Sequence, residues 1–89
     1  MTASTQIRGG GKFMPIRAYV YMNTEPGKAE TVANAVGTKT GVKSADLVTG
    51  RFDVLASVEA NDMTALTDIV LKQILTVPGV RRTETAFLV

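Results

Sequence analysis

The chain has 89 residues, neither cysteine nor histidine, and a formal net charge of +2. That length fits one domain with a limited core. The missing residue types exclude disulfides, thiolate or imidazole metal sites, and Ser-His or Cys-His catalysis. The charge is unevenly spread. Residues 1–17 hold Arg8, Lys12 and Arg17 and no acid, whereas residues 18–89 carry −1. A near-neutral body is a poor electrostatic footprint for nucleic acid, so no direct nucleic-acid contact is expected. No apolar run is long enough to span a membrane. The absence of cysteine and of a signal-peptide core suits a reducing cytoplasm.

In chain order, residues 1–13 are polar and contain Gly9-Gly10-Gly11, the pattern of a flexible leader or tag remnant, with the structured domain at 14–89. The triple glycine neither follows a strand nor opens a helix, so it is no phosphate loop. "IRAYVYM" (16–22) is rich in β-branched and aromatic residues and predicts a strand. "NTEPGK" (23–28) is a turn and helix start, with Pro26 suited to the first helical turn and Glu25 to the positive end of the helix dipole. Ala29, Val32, Ala33 and Val36 then recur at helical spacing. "VKSADLV" (42–48) and "FDVLASVEA" (52–60) predict a strand pair joined by a hairpin at Gly50. Alternation in the second of these puts Phe52, Val54, Ala56 and Val58 on one side and Asp53, Leu55, Ser57 and Glu59 on the other. Asn61 or Asp62 can cap a second helix with an apolar face of Met63, Leu66, Val70 and Ile74, joined by Ile69 and Leu71. Pro78-Gly79 ends it, and "VRRTETAFLV" (80–89) is the last strand.

The order is β-α-β-β-α-β. An internal echo agrees: "TKTGVK" (38–43) and "TVPGVR" (76–81) share Thr-x-x-Gly-Val-basic, each between a helix and a strand. Two βαβ halves make the split-βαβ, ferredoxin-like fold of the α+β class. Right-handed crossovers place both helices on one face of a four-stranded antiparallel sheet. The other face then carries Leu55 and tyrosine from the first strand without cover in the chain, which predicts a sheet-to-sheet dimer, a dimeric α+β barrel.

Three stretches, "AYVYMNTEPGKAETVANAV", "TGVKSADLVTGRFDVLASVEANDMTAL" and "ILTVPGVRRTETAFLV", carry a resemblance. Their most specific parts are the hairpin Gly50-Arg51-Phe52-Asp53 and the terminal Pro78-Gly79-Val80…Thr83-Glu84-Thr85. Together they resemble the effector-binding, or RAM, domain of the leucine-responsive regulatory protein/AsnC family, over residues 16–89. Family members usually carry an N-terminal helix-turn-helix domain, which these residues do not contain, so the chain resembles a stand-alone RAM domain. The resemblance implies a module that dimerises, assembles into a ring of about eight to ten chains, binds an amino-acid effector between dimers, and is able to join full-length family regulators.

The same resemblance implies the site. Amides around Gly50 and Arg51 would meet a ligand carboxylate, with Phe52 in the same hairpin. Asp53 would pair with a ligand ammonium group. Thr83 and Thr85 share a face of the last strand and would offer hydroxyls. Leu47, Met63 and Ala86 are weaker candidates, for which core packing is the simpler role. Each residue also has a plain reading: Gly50 as a turn glycine, Asp53 as a turn cap, the threonines as strand formers, and Arg81-Arg82 as surface charge or an interface pair. No catalytic constellation, metal site or cofactor is expected. The chief expectation is an amino-acid-sensing regulatory module. A pure interaction subunit and, less favoured, a small dimeric α+β barrel enzyme are the alternatives.

Overall fold

The computed structural model describes residues 15–88. The expected leader, residues 1–13, lies outside them. The elements run β1 (Ile16–Thr24), α1 (Ala29–Gly37), β2 (Val42–Leu47), β3 (Val54–Ala60), α2 (Met63–Asp68) and β4 (Val80–Phe87), with a π-helical segment (Ile69–Ile74) continuing α2. The strands form one antiparallel sheet in the order β2-β3-β1-β4. This is the ferredoxin-like order expected of two interleaved βαβ halves.

Alternation decides which face of each strand is buried. Ala18, Val20 and Met22 of β1 and Val54, Ala56 and Val58 of β3 are buried. They meet Val32, Ala33 and Val36 of α1, Leu66 of α2, and Ile74 and Val77 beyond it. Removing each such valine or leucine side chain from water contributes roughly 1.5–3 kcal/mol. The opposite face of the sheet carries Tyr19 and Tyr21 beside Ser57 and Leu55, flanked by Ala86 and Glu84 of β4. Among the described residues neither helix covers it, and Tyr19 stays 37% exposed. The uncovered face with Leu55 and strand-one tyrosines is present as expected.

Three local expectations need correction. Pro26 is not in the first helical turn. It sits in a turn closed by the Lys28 N–H donating to the Glu25 carbonyl (3.0 Å), and α1 starts at Ala29. Proline at the second position of a turn uses the same fixed φ that would have suited a helix start. The third strand starts at Val54 rather than Phe52. Phe52 also leaves the core-facing set: its ring lies 5.2 Å from that of Tyr21, a residue of the uncovered face. Alternation ceases to apply once the chain leaves the ladder.

The second helix is shorter and wider than its apolar pattern implies. Asp62 caps it, accepting from the Ala65 N–H at 2.8 Å. After Asp68 the chain widens into π-helix, with the Leu75 N–H donating to the Val70 carbonyl. In a regular α-helix Gln73, seven residues beyond Leu66, would return to the buried face. In the wide turn Gln73 is exposed, and Ile74, expected on the apolar face, is buried. Met63 and Leu71, expected on the apolar face, are 47% and 53% exposed. The connection from α1 to β2 presses on the same segment. Gly41 has φ +88°, and a Cβ there would collide with the Ile69 side chain and crowd the Glu59 carbonyl at 3.1 Å.

Candidate functional site

The β2–β3 loop, residues 48–53, is tied down along one side. The Val48 N–H donates to the Asp53 carbonyl (3.0 Å), which closes the loop on itself. The Asp53 N–H donates to the Met22 carbonyl (2.9 Å), and Asn23 Nδ2 donates to the Arg51 carbonyl (2.7 Å). The Asp53 carboxylate reaches back to the end of β1. Its Oδ2 accepts from the Thr24 N–H at 2.8 Å and, more weakly, from the Thr24 hydroxyl at 3.4 Å. Phe52 packs on Tyr21, and the Arg51 guanidinium lies 5.5 Å from the Phe52 ring centroid, within cation–π range. The tip is left open: Gly50 has φ +107° and no atom within 4 Å of where a Cβ would sit. A positive φ with open space fits both a turn and a backbone that a ligand or second molecule approaches closely.

Asp53 forms one wall of a cleft of about 390 Å³, with Asn23, Thr24, Arg81 and Arg82 as the others. The two arginines owe their shared position to an irregularity in the ladder. Asn23 pairs with Arg82 but Thr24 pairs with Val80, so Arg81 is an extra residue in β4. A bulge of this kind bends the strand and re-aims side chains. Without it, consecutive residues would point to opposite faces of the sheet.

The structure divides the residues proposed from sequence. Gly50, Arg51, Phe52 and Asp53 are brought together in one loop. Thr83 and Thr85 do share a face, since they pair with the core-facing Met22 and Val20. That face is the helical side of β4, and β1 separates Thr83 from β3. Met22 pairs with Val54 on one side and Thr83 on the other, a separation of two strand spacings or about 10 Å. Thr85 lines a second, apolar cleft of about 150 Å³ with Leu66, Thr67, Val70, Leu71 and Phe87. Ala86 points the other way, beside Tyr19 on the uncovered face. Leu47, 55% exposed, lies at the end of β2, and Met63 opens α2. Neither lines the Asp53 cleft. Asn23, Thr24, Arg81 and Arg82 were not among the sequence candidates. The signal for the arginines is a bulge, which a single sequence does not display. Among the described residues no group of three or more acidic side chains could hold a metal ion.

Residues 17–89 match the family model of the Lrp/AsnC ligand-binding domain. The chain belongs to the Lrp/AsnC family. The match covers this family's ligand-binding module, and a transcriptional regulator is among the relatives. An uncharacterised HTH-type transcriptional regulator of Pyrococcus abyssi is 29% identical over 73 residues, which are 82% of this chain and 46% of that protein. The chain therefore spans about half the length of that regulator. A Thermus thermophilus protein of known crystal structure is 31% identical with a TM-score of 0.79, covering 83% of this chain and 92% of that one. The fold is also that of a Neisseria meningitidis transcriptional regulator solved in complex with L-Met, at 21% identity and a TM-score of 0.77, over 99% of this chain and 58% of the regulator's. No helix among the described residues is long and apolar enough to cross a membrane.

Proposed function

We propose that this Lrp/AsnC domain senses a free amino acid and transmits its binding through homo-oligomeric assembly in the cytoplasm. The observation that carries the reading is that one acid, Asp53, and two arginines, Arg81 and Arg82, line the same cleft. A free amino acid at neutral pH is a zwitterion. Taking it out of water is costly unless both its charges meet partners. Asp53 Oδ1, which takes no bond among the described residues, suits the ammonium group. Arg81 and Arg82, which line the same cleft, suit the carboxylate. The L-Met complex of the Neisseria relative supports an amino acid as the class of ligand.

Thr83 and Thr85 lie too far from the loop to share one small ligand with Asp53 in the same chain. In this reading a second copy supplies them, so the site is completed between dimers. The dimers form through the uncovered sheet face, with Tyr19, Tyr21 and Leu55 at its centre, and assemble into a ring of eight to ten chains. In this reading the domain influences DNA through full-length regulators with which it co-assembles. In this reading it binds without catalysis, the Asp53 carboxylate being held by the Thr24 N–H and hydroxyl.

The test is a thermal-shift screen of the protein against the twenty amino acids. A ligand that binds only the folded state raises the midpoint according to its concentration over its Kd. At least one amino acid should raise the midpoint in a concentration-dependent way. A flat response to all twenty at millimolar concentration would overturn sensing and leave a pure interaction subunit.

A further inference from the structure

We infer that the amino acid preferred by this cleft is a dicarboxylic one of the aspartate or glutamate class. The inference rests on the amino-acid reading above and goes beyond it by fixing the charge of the ligand's side chain. A monocarboxylic amino acid presents one positive and one negative group. Asp53 answers the first, and a single cation or pair of amides answers the second. The β4 bulge brings two arginines to the lining of the same cleft, so one of them is left over. A ligand with one ammonium group and two carboxylates is the mirror image of one carboxylate and two guanidinium groups. Guanidinium groups are also the side chains best shaped to hold carboxylates, through paired N–H donors.

The competing partner within the chain is Glu84. Its Oε2 lies 3.2 Å from Arg82 Nη2 and accepts a hydrogen bond there. Both side chains are well exposed, at 65% for Arg82 and 46% for Glu84. An exposed pair of this kind is weak and exchanges readily for a ligand carboxylate. Arg81 makes no ion pair among the described residues. Its backbone leaves the ladder at the bulge, and the residue lines the cleft. The rest of the lining, Asn23 and Thr24, is polar and offers no apolar surface for a leucine-like side chain.

Glutamate and glutamine are the decisive pair of probes, since they share shape and differ by one charge. Titration calorimetry of the intact protein with each should give a Kd for glutamate lower by about tenfold or more, the usual worth of one charge-assisted bond. In the Arg81→Gln, Arg82→Gln double variant that ratio should fall towards one. Glu84→Gln should tighten glutamate and leave glutamine nearly unchanged. Both arginines are exposed on an edge strand, and circular dichroism of the double variant checks that the fold is retained. Equal or tighter binding of glutamine by the natural protein would overturn the inference and leave amino-acid sensing standing. A glutamate preference that survives the double substitution would likewise overturn it. If no amino acid of any class binds, the sensing reading falls and the inference with it.

Discussion

The backbone N–H of Thr24 donates to Oδ2 of Asp53 over 2.8 Å, joining the last residue of β1 to the last residue of the β2–β3 loop across 29 positions of sequence. The bond gives Asp53 a structural duty as well as a place in the cleft. The two duties separate by substitution. Asp53→Ala leaves the part-buried Thr24 N–H without its acceptor and should lower stability by about 1–3 kcal/mol in urea unfolding. Asp53→Asn keeps an acceptor oxygen and removes the charge. It should unfold close to the natural protein yet lose the midpoint shift given by any amino-acid ligand. An Asn variant that keeps the full shift would remove the carboxylate from the ligand's ammonium group.

Gly50 and Gly41 both have positive φ but differ in surroundings. Gly50→Ala meets only backbone strain and should cost about 1–2 kcal/mol. Gly41→Ala adds collision with Ile69 and crowding of the Glu59 carbonyl, so it should cost clearly more. Denaturant midpoints of the two variants, measured side by side, check the order. Equal costs would mean that the α1–β2 connection is not pressed against the π-helical segment.

The wide turn after Asp68 makes its own prediction. Ile74→Ala removes a fully buried side chain and should cost about 2–5 kcal/mol. Gln73→Ala, on an exposed side chain, should change stability by no more than about 0.5 kcal/mol. A regular α-helix through residues 63–74 would narrow or reverse that contrast.

Assembly is checked on the uncovered face. Tyr19→Glu combined with Leu55→Lys places charges at the centre of the proposed dimer contact without touching a residue of the buried core. Light scattering at micromolar concentration should show the natural protein as a dimer or larger ring and the double variant as smaller species. A natural protein that is monomeric under these conditions would overturn the assembly reading.

Most of the fold can be read from periodicity. Val20, Met22, Val54, Ala56 and Val58 alternate, and Val32, Ala33 and Val36 follow a helical period, because each pattern has a single buried face to satisfy. Departures occur where a local device breaks the period. Phe52 stands outside the ladder and stacks on Tyr21. Ile74 lies buried as the apolar pattern expects, but Leu71 of that same pattern is exposed where the helix widens. Pro26 has the same φ in a turn as at a helix start. Half of the candidate site follows from the Gly50–Asp53 hairpin, which is contiguous in sequence. Arg81 and Arg82 join it through the bulge opposite Asn23 and Thr24, and consecutive basic residues in a strand give no sign of sharing a side.

The two margins of the sheet share a trait. In β2 the pairing passes from Val42 to Ser44 while β3 advances by one residue, so Lys43 is spare. In β4 the spare residue is Arg81. Each outer strand therefore carries a kink with a long cationic side chain. A foreign β-strand seeking to extend the sheet would meet an interrupted row of amides and carbonyls and a positive charge at either border. Sideways growth into fibres is thereby discouraged at both ends. A small protein that leaves Tyr19 and Leu55 on an uncovered sheet face is thereby guarded at the two edges of that sheet.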